Sequence, residues 1–155
     1  MAGLKAGDKA PDFRLETDQE GPVSRASLKG KSYVVYFYPK DDTSGCTREA
    51  VDFTAAARKF TNLGVFVLGV SKDSVKSHEK FRTKHKLKIA LGSDPDTKMA
   101  QDWGVWGEKT LYGRKYMGME RATFLVDGKG LIRAAWRKVK VPGHVEAVLE
   151  AAKQL

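Results

Sequence analysis

Two apolar runs joined by a helical repeat constrain the fold of this chain more than any other feature. Residues 33–38 (YVVYFY) and 65–70 (VFVLGV) are of strand length, rich in β-branched and aromatic side chains, and bounded by charged or turn residues, as buried central strands are. Between them, apolar side chains recur at helical spacing until Gly64 ends the repeat. The repeating positions are Cys46, Ala50, Phe53, Ala57 and Phe60. This segment therefore predicts a β-α-β unit.

The remainder of the chain continues the alternation of strands and helices. The further predicted elements are helices over 74–85, 98–103 and 144–155 and strands over 89–93, 122–126 and 131–139. The last two strands flank the turn sequence DGKG and predict an antiparallel hairpin. We therefore predict an α/β fold whose sheet is covered by helices on both faces, in a single domain spanning residues 1–155.

The N-terminal segment gives no indication of export. Residues 1–13 are interrupted by Lys5, Asp8, Lys9 and Asp12, so the apolar core of a secretory signal is missing. No later run reaches the roughly 18 apolar residues of a membrane span. We expect a cytoplasmic protein that does not contact a membrane.

The net charge of +9 raises the possibility of an anionic partner. Residues 72–88 carry seven bases and two acids, and Lys72, Lys76 and Lys80 recur at the spacing of one helix face. No nucleic-acid-binding motif accompanies this charge, so a solvated helix face is the favoured interpretation. Nucleic-acid binding is kept as a secondary hypothesis.

Cys46 is the only cysteine of the chain, and two interpretations of it are open. Free cysteines are often buried as small hydrophobic residues. However, the polar turn before Cys46 offers Thr43 or Ser44 as a helix N-cap, which places the thiol in the first helical turn. Free amides and the helix dipole favour a thiolate there. If Thr43 is the cap, its hydroxyl is within reach of the Cys46 N–H and lies close to the sulfur.

The neighbours of Cys46 require a cation from elsewhere in the chain. Glu49 shares its helix face and disfavours a thiolate unless a positive charge neutralises the carboxylate. Arg48 lies about 200° around the helix and points away. Arg121 immediately precedes the strand predicted over residues 122–126, from which a parallel sheet could deliver it to the thiol.

Other cysteine chemistries lack the residues that they need. A C-x-x-C exchange motif is excluded because Thr43 and Glu49 stand three residues on either side of Cys46. Metal sites need ligand clusters, whereas His78 and His85 are two helical turns apart and the third histidine is distant. We predict no metal and no cofactor. A cysteine hydrolase with a histidine partner stays open.

The motif P-x-x-x-T-x-x-C, formed by Pro39, Thr43 and Cys46, is specific in this context. Together with KAGDKAPDFRL, GVSKDSVKSHEKFRTKHKL and WGVWGEKTLYGRKYMGMERATFLVD, it resembles the peroxiredoxins, in their bacterioferritin comigratory protein or peroxiredoxin Q group, over nearly the whole chain. The resemblance implies a thioredoxin-like fold with a central mixed β-sheet, flanking helices and an N-terminal β-hairpin. It also implies an antioxidant thiol peroxidase activity.

The resemblance further implies roles for individual residues. Cys46 would be the peroxidatic nucleophile, Thr43 a hydrogen-bonding partner of sulfur and peroxide, and Arg121 the cation that orients both. Pro39 would shield the site from water. Pro39, Thr43 and Arg121 would together bind the substrate. Glu49 would support the site by pairing with the arginine.

The chain departs from the family pattern chiefly at Val51, where some members have a second cysteine. It therefore resembles the one-cysteine type, or an engineered variant that has lost the second cysteine. The resemblance implies reduction of hydrogen peroxide and organic hydroperoxides through a sulfenic acid. An external thiol, namely thioredoxin, glutaredoxin or glutathione, would recycle Cys46, and the protein would be a monomer or weak dimer. The alternative is a redox-sensing or thiol-exchange protein with little turnover.

Overall fold

The structure is a mixed β-sheet covered by helices, as the sequence predicts. The computed structural model describes residues 3–155. Its strands are β1 (Arg14–Thr17), β2 (Val23–Ser24), β3 (Ser32–Phe37), β4 (Val65–Ser71), β5 (Ala90–Ser93), β6 (Trp106–Leu111), β7 (Arg114–Met119), β8 (Ala122–Val126) and β9 (Ile132–Trp136). Its helices are α1 (Ser44–Ala55), α2 (Ala57–Asn62), α3 (Val75–His85), α4 (Lys98–Asp102) and α5 (His144–Ala152). Across these residues, no helix is both long and apolar enough to cross a bilayer.

The main sheet has seven strands in the order β2-β1-β5-β4-β3-β8-β9 within the described residues. Strands β3, β4 and β5 are parallel neighbours, so β3, α1, α2 and β4 form the predicted β-α-β unit. Strand β8 pairs antiparallel with both β3 and β9, and the predicted C-terminal hairpin is confirmed. Strands β1 and β2 form the N-terminal hairpin that the family resemblance implies.

Strand β3 is buried on both of its faces, which explains its unbroken apolar run. Its alternate residues Tyr33 and Phe37 belong to one core layer. Val34 and Tyr36 belong to the other layer, together with Cys46 of α1. The helical repeat recognised in the sequence is thus the face that α1 packs against the sheet.

The helical segment between β3 and β4 is interrupted once. The sequence predicts a continuous helix, but Ala56 adopts φ −95° and ψ 1° and separates α1 from α2. Phe53 and Phe60 on either side of the break are both buried, with ring centroids 5.9 Å apart. The break therefore leaves both rings in the core, and Gly64 ends the segment at a φ of 72°.

The basic stretch differs in one respect from the sequence prediction. Ser74 is the N-cap of α3, so Lys72 precedes the helix and does not share a face with Lys76 and Lys80. The Lys72 ammonium lies over the Trp106 ring, 6.0 Å from its centroid. Lys76 and Lys80 are exposed on α3, as expected of a solvated face.

Candidate active site

The helix α1 presents Cys46 in its first turn. Thr43 is the N-cap, in extended conformation with φ −91° and ψ 158°, and Ser44 is the first helical residue. Cys46 is therefore the third helical residue, where backbone amides lack intrahelical acceptors and the helix dipole favours an anion. The residue is only 1% exposed, so its sulfur lies against the core rather than in open solvent.

The Thr43 hydroxyl makes a different contact from the one expected of a capping side chain. It makes no capping hydrogen bond to a helix amide, so the predicted contact with the Cys46 N–H is wrong. Instead, the hydroxyl donates to the carbonyl of Lys40 at 2.9 Å. The left-handed Asp42, at φ 59°, tightens this turn. Pro39 is half-buried at the start of the same loop.

Arg121 is the cation that lies beside Cys46. Its Nη2 donates to the Cys46 Sγ at 3.2 Å. The strand that directly follows Arg121, β8, is antiparallel to β3, so the prediction of delivery from a parallel strand is wrong. In the antiparallel register Ala122 pairs with Phe37, which places the start of β8 next to the end of β3, where the cysteine loop begins.

Glu49 completes this cluster from the next turn of α1. Its Oε1 accepts a hydrogen bond from the Nη1 of Arg121 at 2.8 Å, so one guanidinium bridges the carboxylate and the sulfur. Burial raises the pKa of Glu49 to about 7, although Arg121 opposes the shift. Burial alone would lower the pKa of Arg121, but Cys46 and Glu49 outweigh it and the net shift is upward.

Comparisons with known proteins identify the family that shares this arrangement. The profile of the AhpC/TSA family matches residues 6–135. A putative peroxiredoxin Bcp of Coxiella burnetii is 49% identical over 94% of this chain and 97% of that protein. The chain is a peroxiredoxin of the AhpC/TSA family. A peroxiredoxin Bcp of Bacillus subtilis is 44% identical, over 98% of the present peroxiredoxin and 97% of the relative.

The structures of relatives agree with the fold of this peroxiredoxin. A bacterioferritin comigratory protein of Xanthomonas campestris, described for its alkyl peroxide reduction activity, superposes with a TM-score of 0.87. It is 42% identical, over 92% of this chain and 90% of that one. The thioredoxin-like fold is therefore confirmed, and the family assignment makes the peroxiredoxin a thiol peroxidase.

A buried polar network, which no motif in the sequence indicates, anchors the loop that leads to Cys46. Asp41 accepts hydrogen bonds from the Tyr38 hydroxyl at 2.6 Å and the Ser77 hydroxyl at 2.8 Å. Its Oδ2 also lies 2.8 Å from the Nδ1 of His78, whose Nε2 lies 2.9 Å from the Gly92 carbonyl. Because both ring nitrogens face oxygen atoms, the histidine joins α3 and β5 to the loop.

His144, at the start of α5, closes the site behind Glu49. Its Nε2 lies 2.7 Å from the Thr123 hydroxyl and 4.0 Å from the Glu49 Oε2. Burial lowers the pKa of His144 to about 4, and Arg121 contributes in the same direction, so the ring is neutral at pH 7. The Glu49 Oε2 is buried and makes no hydrogen bond to the described residues. The sequence places His144 at the start of a helix and far from Cys46, so it did not indicate that this residue belongs to the site.

This arrangement suits nucleophilic attack by a sulfur that is almost fully buried. Cys46 at the N-terminus of α1 lies next to the Arg121 guanidinium, which also contacts the buried Glu49 carboxylate. Preorganised positive charge of this kind stabilises negative charge on a thiolate and on a departing oxygen.

Proposed function

We propose that this peroxiredoxin reduces hydroperoxides by a one-cysteine cycle with Cys46 as the nucleophile. The observation that supports the proposal is the 3.2 Å contact between the Arg121 Nη2 and the Cys46 Sγ. Cys46 is the only cysteine in the sequence, so the cycle contains no internal disulfide.

In the first step the Cys46 thiolate attacks one peroxide oxygen. A sulfur–oxygen bond forms, the oxygen–oxygen bond breaks, and the departing hydroxide or alkoxide takes up a proton to leave as water or alcohol. Arg121 orients the peroxide and stabilises the charge that develops on the departing oxygen. Thr43 binds the peroxide through its hydroxyl, which must turn from the Lys40 carbonyl, and Pro39 limits access of water.

In the second step an external thiol attacks the Cys46 sulfenic acid. This attack releases water and forms a mixed disulfide, which a second thiol resolves to restore Cys46. Thioredoxin, glutaredoxin and glutathione are the candidate reductants. A reducing compartment keeps such thiols available, which favours the cytoplasm, and the protein acts as a monomer or weak dimer.

The substrates are hydrogen peroxide and organic hydroperoxides. The alkyl peroxide reduction activity attributed to the Xanthomonas campestris relative supports the second class. An open cavity lined by Arg121 and by carbon-rich residues such as Val105, Trp106 and Val139 gives an alkyl group space next to the guanidinium.

The test is hydrogen peroxide consumption with thioredoxin and its reductase, glutaredoxin, or glutathione supplied separately. We expect sustained turnover with at least one of them, and none after Cys46→Ser. Equal rates for the wild type and for Cys46→Ser would contradict the assignment of Cys46 as the nucleophile. Oxidation of Cys46 without turnover by any reductant would instead favour a redox sensor.

A further inference from the structure

The hairpin formed by β6 and β7 has an unusual turn. Leu111 pairs with Arg114, so Tyr112 and Gly113 form a two-residue loop, with φ values of 51° and 77°. Two positive φ values are typical of a type I′ turn, in which asparagine is preferred at the first position and glycine at the second. A bulky residue in the left-handed region is a genuine outlier. Tyr112 is nevertheless there and is 96% exposed.

Two further exposed side chains of this hairpin, Leu111 and Tyr116, lie on one face of its strands, and Met117 lies on the other. Side chains alternate between the two faces of a strand, and the register places Lys109 opposite Tyr116 and Leu111 opposite Arg114 on the same face. We call Lys109, Leu111, Tyr112, Arg114 and Tyr116 the hairpin face. All of its residues except Lys109 are exposed.

The hairpin face extends to the active site. The ammonium of Lys109 donates to the Met119 carbonyl, two residues before Arg121. Lys109, Gly118 and Arg121 line the same open cavity of about 560 Å³. The pKa of Lys109 is lowered by burial and by Arg121, with smaller opposing effects of Glu120 and Cys46. Arg121 also contacts the Cys46 sulfur. A protein that binds over this cavity therefore meets the hairpin face next to the residue that contacts the cysteine.

The charge of the hairpin discriminates between possible occupants. The hairpin face carries two bases, Lys109 and Arg114, and no acid, whereas Lys115 and Glu108 lie on the opposite face and pair with each other. The whole chain has a net charge of +9, so a second copy is repelled, whereas an acidic protein is attracted. Exposed tyrosine and arginine side chains are also the types enriched at binding hot spots.

We propose that the hairpin face is the docking surface for the thiol protein that reduces Cys46. The partner would present an apolar patch with an acidic rim next to its reactive cysteine. This inference rests on the proposed function, because a chain with one cysteine depends on a thiol from another molecule. The strained, exposed Tyr112 is then explained by binding, since it contributes nothing evident to the folded monomer.

The test compares three variants with the wild type. Leu111→Ser and Tyr112→Asn alter the hairpin face, whereas Met117→Ser is the matched control, because Met117 lies on the opposite face and is as exposed as Leu111, at 55%. For each protein, kcat/KM is measured with whichever of thioredoxin and glutaredoxin supports turnover, and again with dithiothreitol as a small thiol.

We expect Leu111→Ser and Tyr112→Asn each to lower kcat/KM for the protein reductant by about tenfold, as the loss of one anchoring side chain does. The rates with dithiothreitol should stay the same, and Met117→Ser should resemble the wild type. Tyr112→Asn should also raise the melting temperature, because asparagine tolerates the left-handed turn. If Tyr112→Asn lowers kcat/KM for the protein reductant but raises the melting temperature, the loss reflects weaker binding and not misfolding.

Four results would overturn the inference. Three are unchanged kcat/KM for the protein reductant in both face variants, an equal loss in Met117→Ser, and turnover with glutathione but with neither protein. The fourth is a dimer that Leu111→Ser dissociates in sedimentation, which would assign the face to a second copy. By contrast, no peroxide consumption by the wild type with dithiothreitol would contradict the proposed function itself, so the two failures are distinguishable.

Discussion

Replacement of Arg121 by alanine should slow the peroxide step by about one to two orders of magnitude while the protein stays folded. The guanidinium contacts the Cys46 sulfur at 3.2 Å and the Glu49 carboxylate at 2.8 Å, and alanine removes both contacts. Arg121→Lys is the matched control, since lysine keeps the positive charge but cannot bridge two partners as a planar fork does.

The magnitude follows from the two contacts. A hydrogen bond to a charged group contributes about 1.5–3 kcal/mol, and each 1.36 kcal/mol is about a tenfold change in rate. Loss of the sulfur contact should therefore slow oxidation by roughly 10- to 200-fold. Glu49 is left without its partner, and its pKa, about 7 with Arg121 present, rises further without the guanidinium, so the carboxylate takes up a proton. The loss of stability should accordingly be about 1–3 kcal/mol, as for an unpaired neutral group.

Two measurements on the same samples test this reasoning. Single-turnover stopped-flow gives the rate of oxidation by hydrogen peroxide, and urea unfolding gives the free energy of unfolding. We expect slow oxidation for Arg121→Ala, with Arg121→Lys intermediate. An unchanged oxidation rate, with stability reduced, would show that Arg121 is only structural.

Three further substitutions test the surroundings of the cysteine. Because the pKa of Glu49 rises from 4.5 to about 7, its contribution to stability is present below pH 4.5 and lost as pH rises through 7. This loss should reach about 3 kcal/mol in the free energy of unfolding by urea, and Glu49→Gln should abolish it. The same pH dependence in the wild type and Glu49→Gln would contradict the raised pKa of Glu49. The lowered pKa of His144 has the opposite effect, since its contribution is present above pH 6.5 and lost as pH falls through about 4. His144→Gln should therefore resist acid better than the wild type in the same assay. In Val51→Cys, the new thiol lies about 7.5 Å further along the α1 axis than Cys46, so a disulfide requires the helix to unwind. We expect the loss of two hydrogens in mass with reduced helical circular dichroism, and a disulfide formed with the helix intact would be contrary to the geometry.

The elements that the sequence predicted well are those in which one local pattern is sufficient. The apolar runs of β3 and β4 and the helical repeat between them are local signals, and they located Cys46 in the first turn of α1. The family motif added the thioredoxin-like fold and indicated Arg121, because that residue belongs to a segment similar to the family.

The remaining features depend on contacts between distant segments. Arg121 reaches the sulfur because β8 pairs antiparallel with β3, and strand direction has no local signature. His144 is 98 positions from Cys46 in the sequence and meets Glu49 only after α5 packs. The hairpin of β6 and β7 escaped prediction because the glycines and charged residues in its strands obscure the alternation, and its turn has Tyr112 in place of the usual asparagine.

The most direct test of the central claim is the mass of the protein after treatment with one equivalent of hydrogen peroxide. The claim is that Cys46 is oxidised to a sulfenic acid that only an external thiol can reduce. We predict one added oxygen atom, mapped by peptide mass to Cys46 and missing in Cys46→Ser. The sulfenic acid should be trapped by dimedone, and an added thiol should reverse the oxidation. An unmodified Cys46 with peroxide consumed, or the same adduct in Cys46→Ser, would contradict the account.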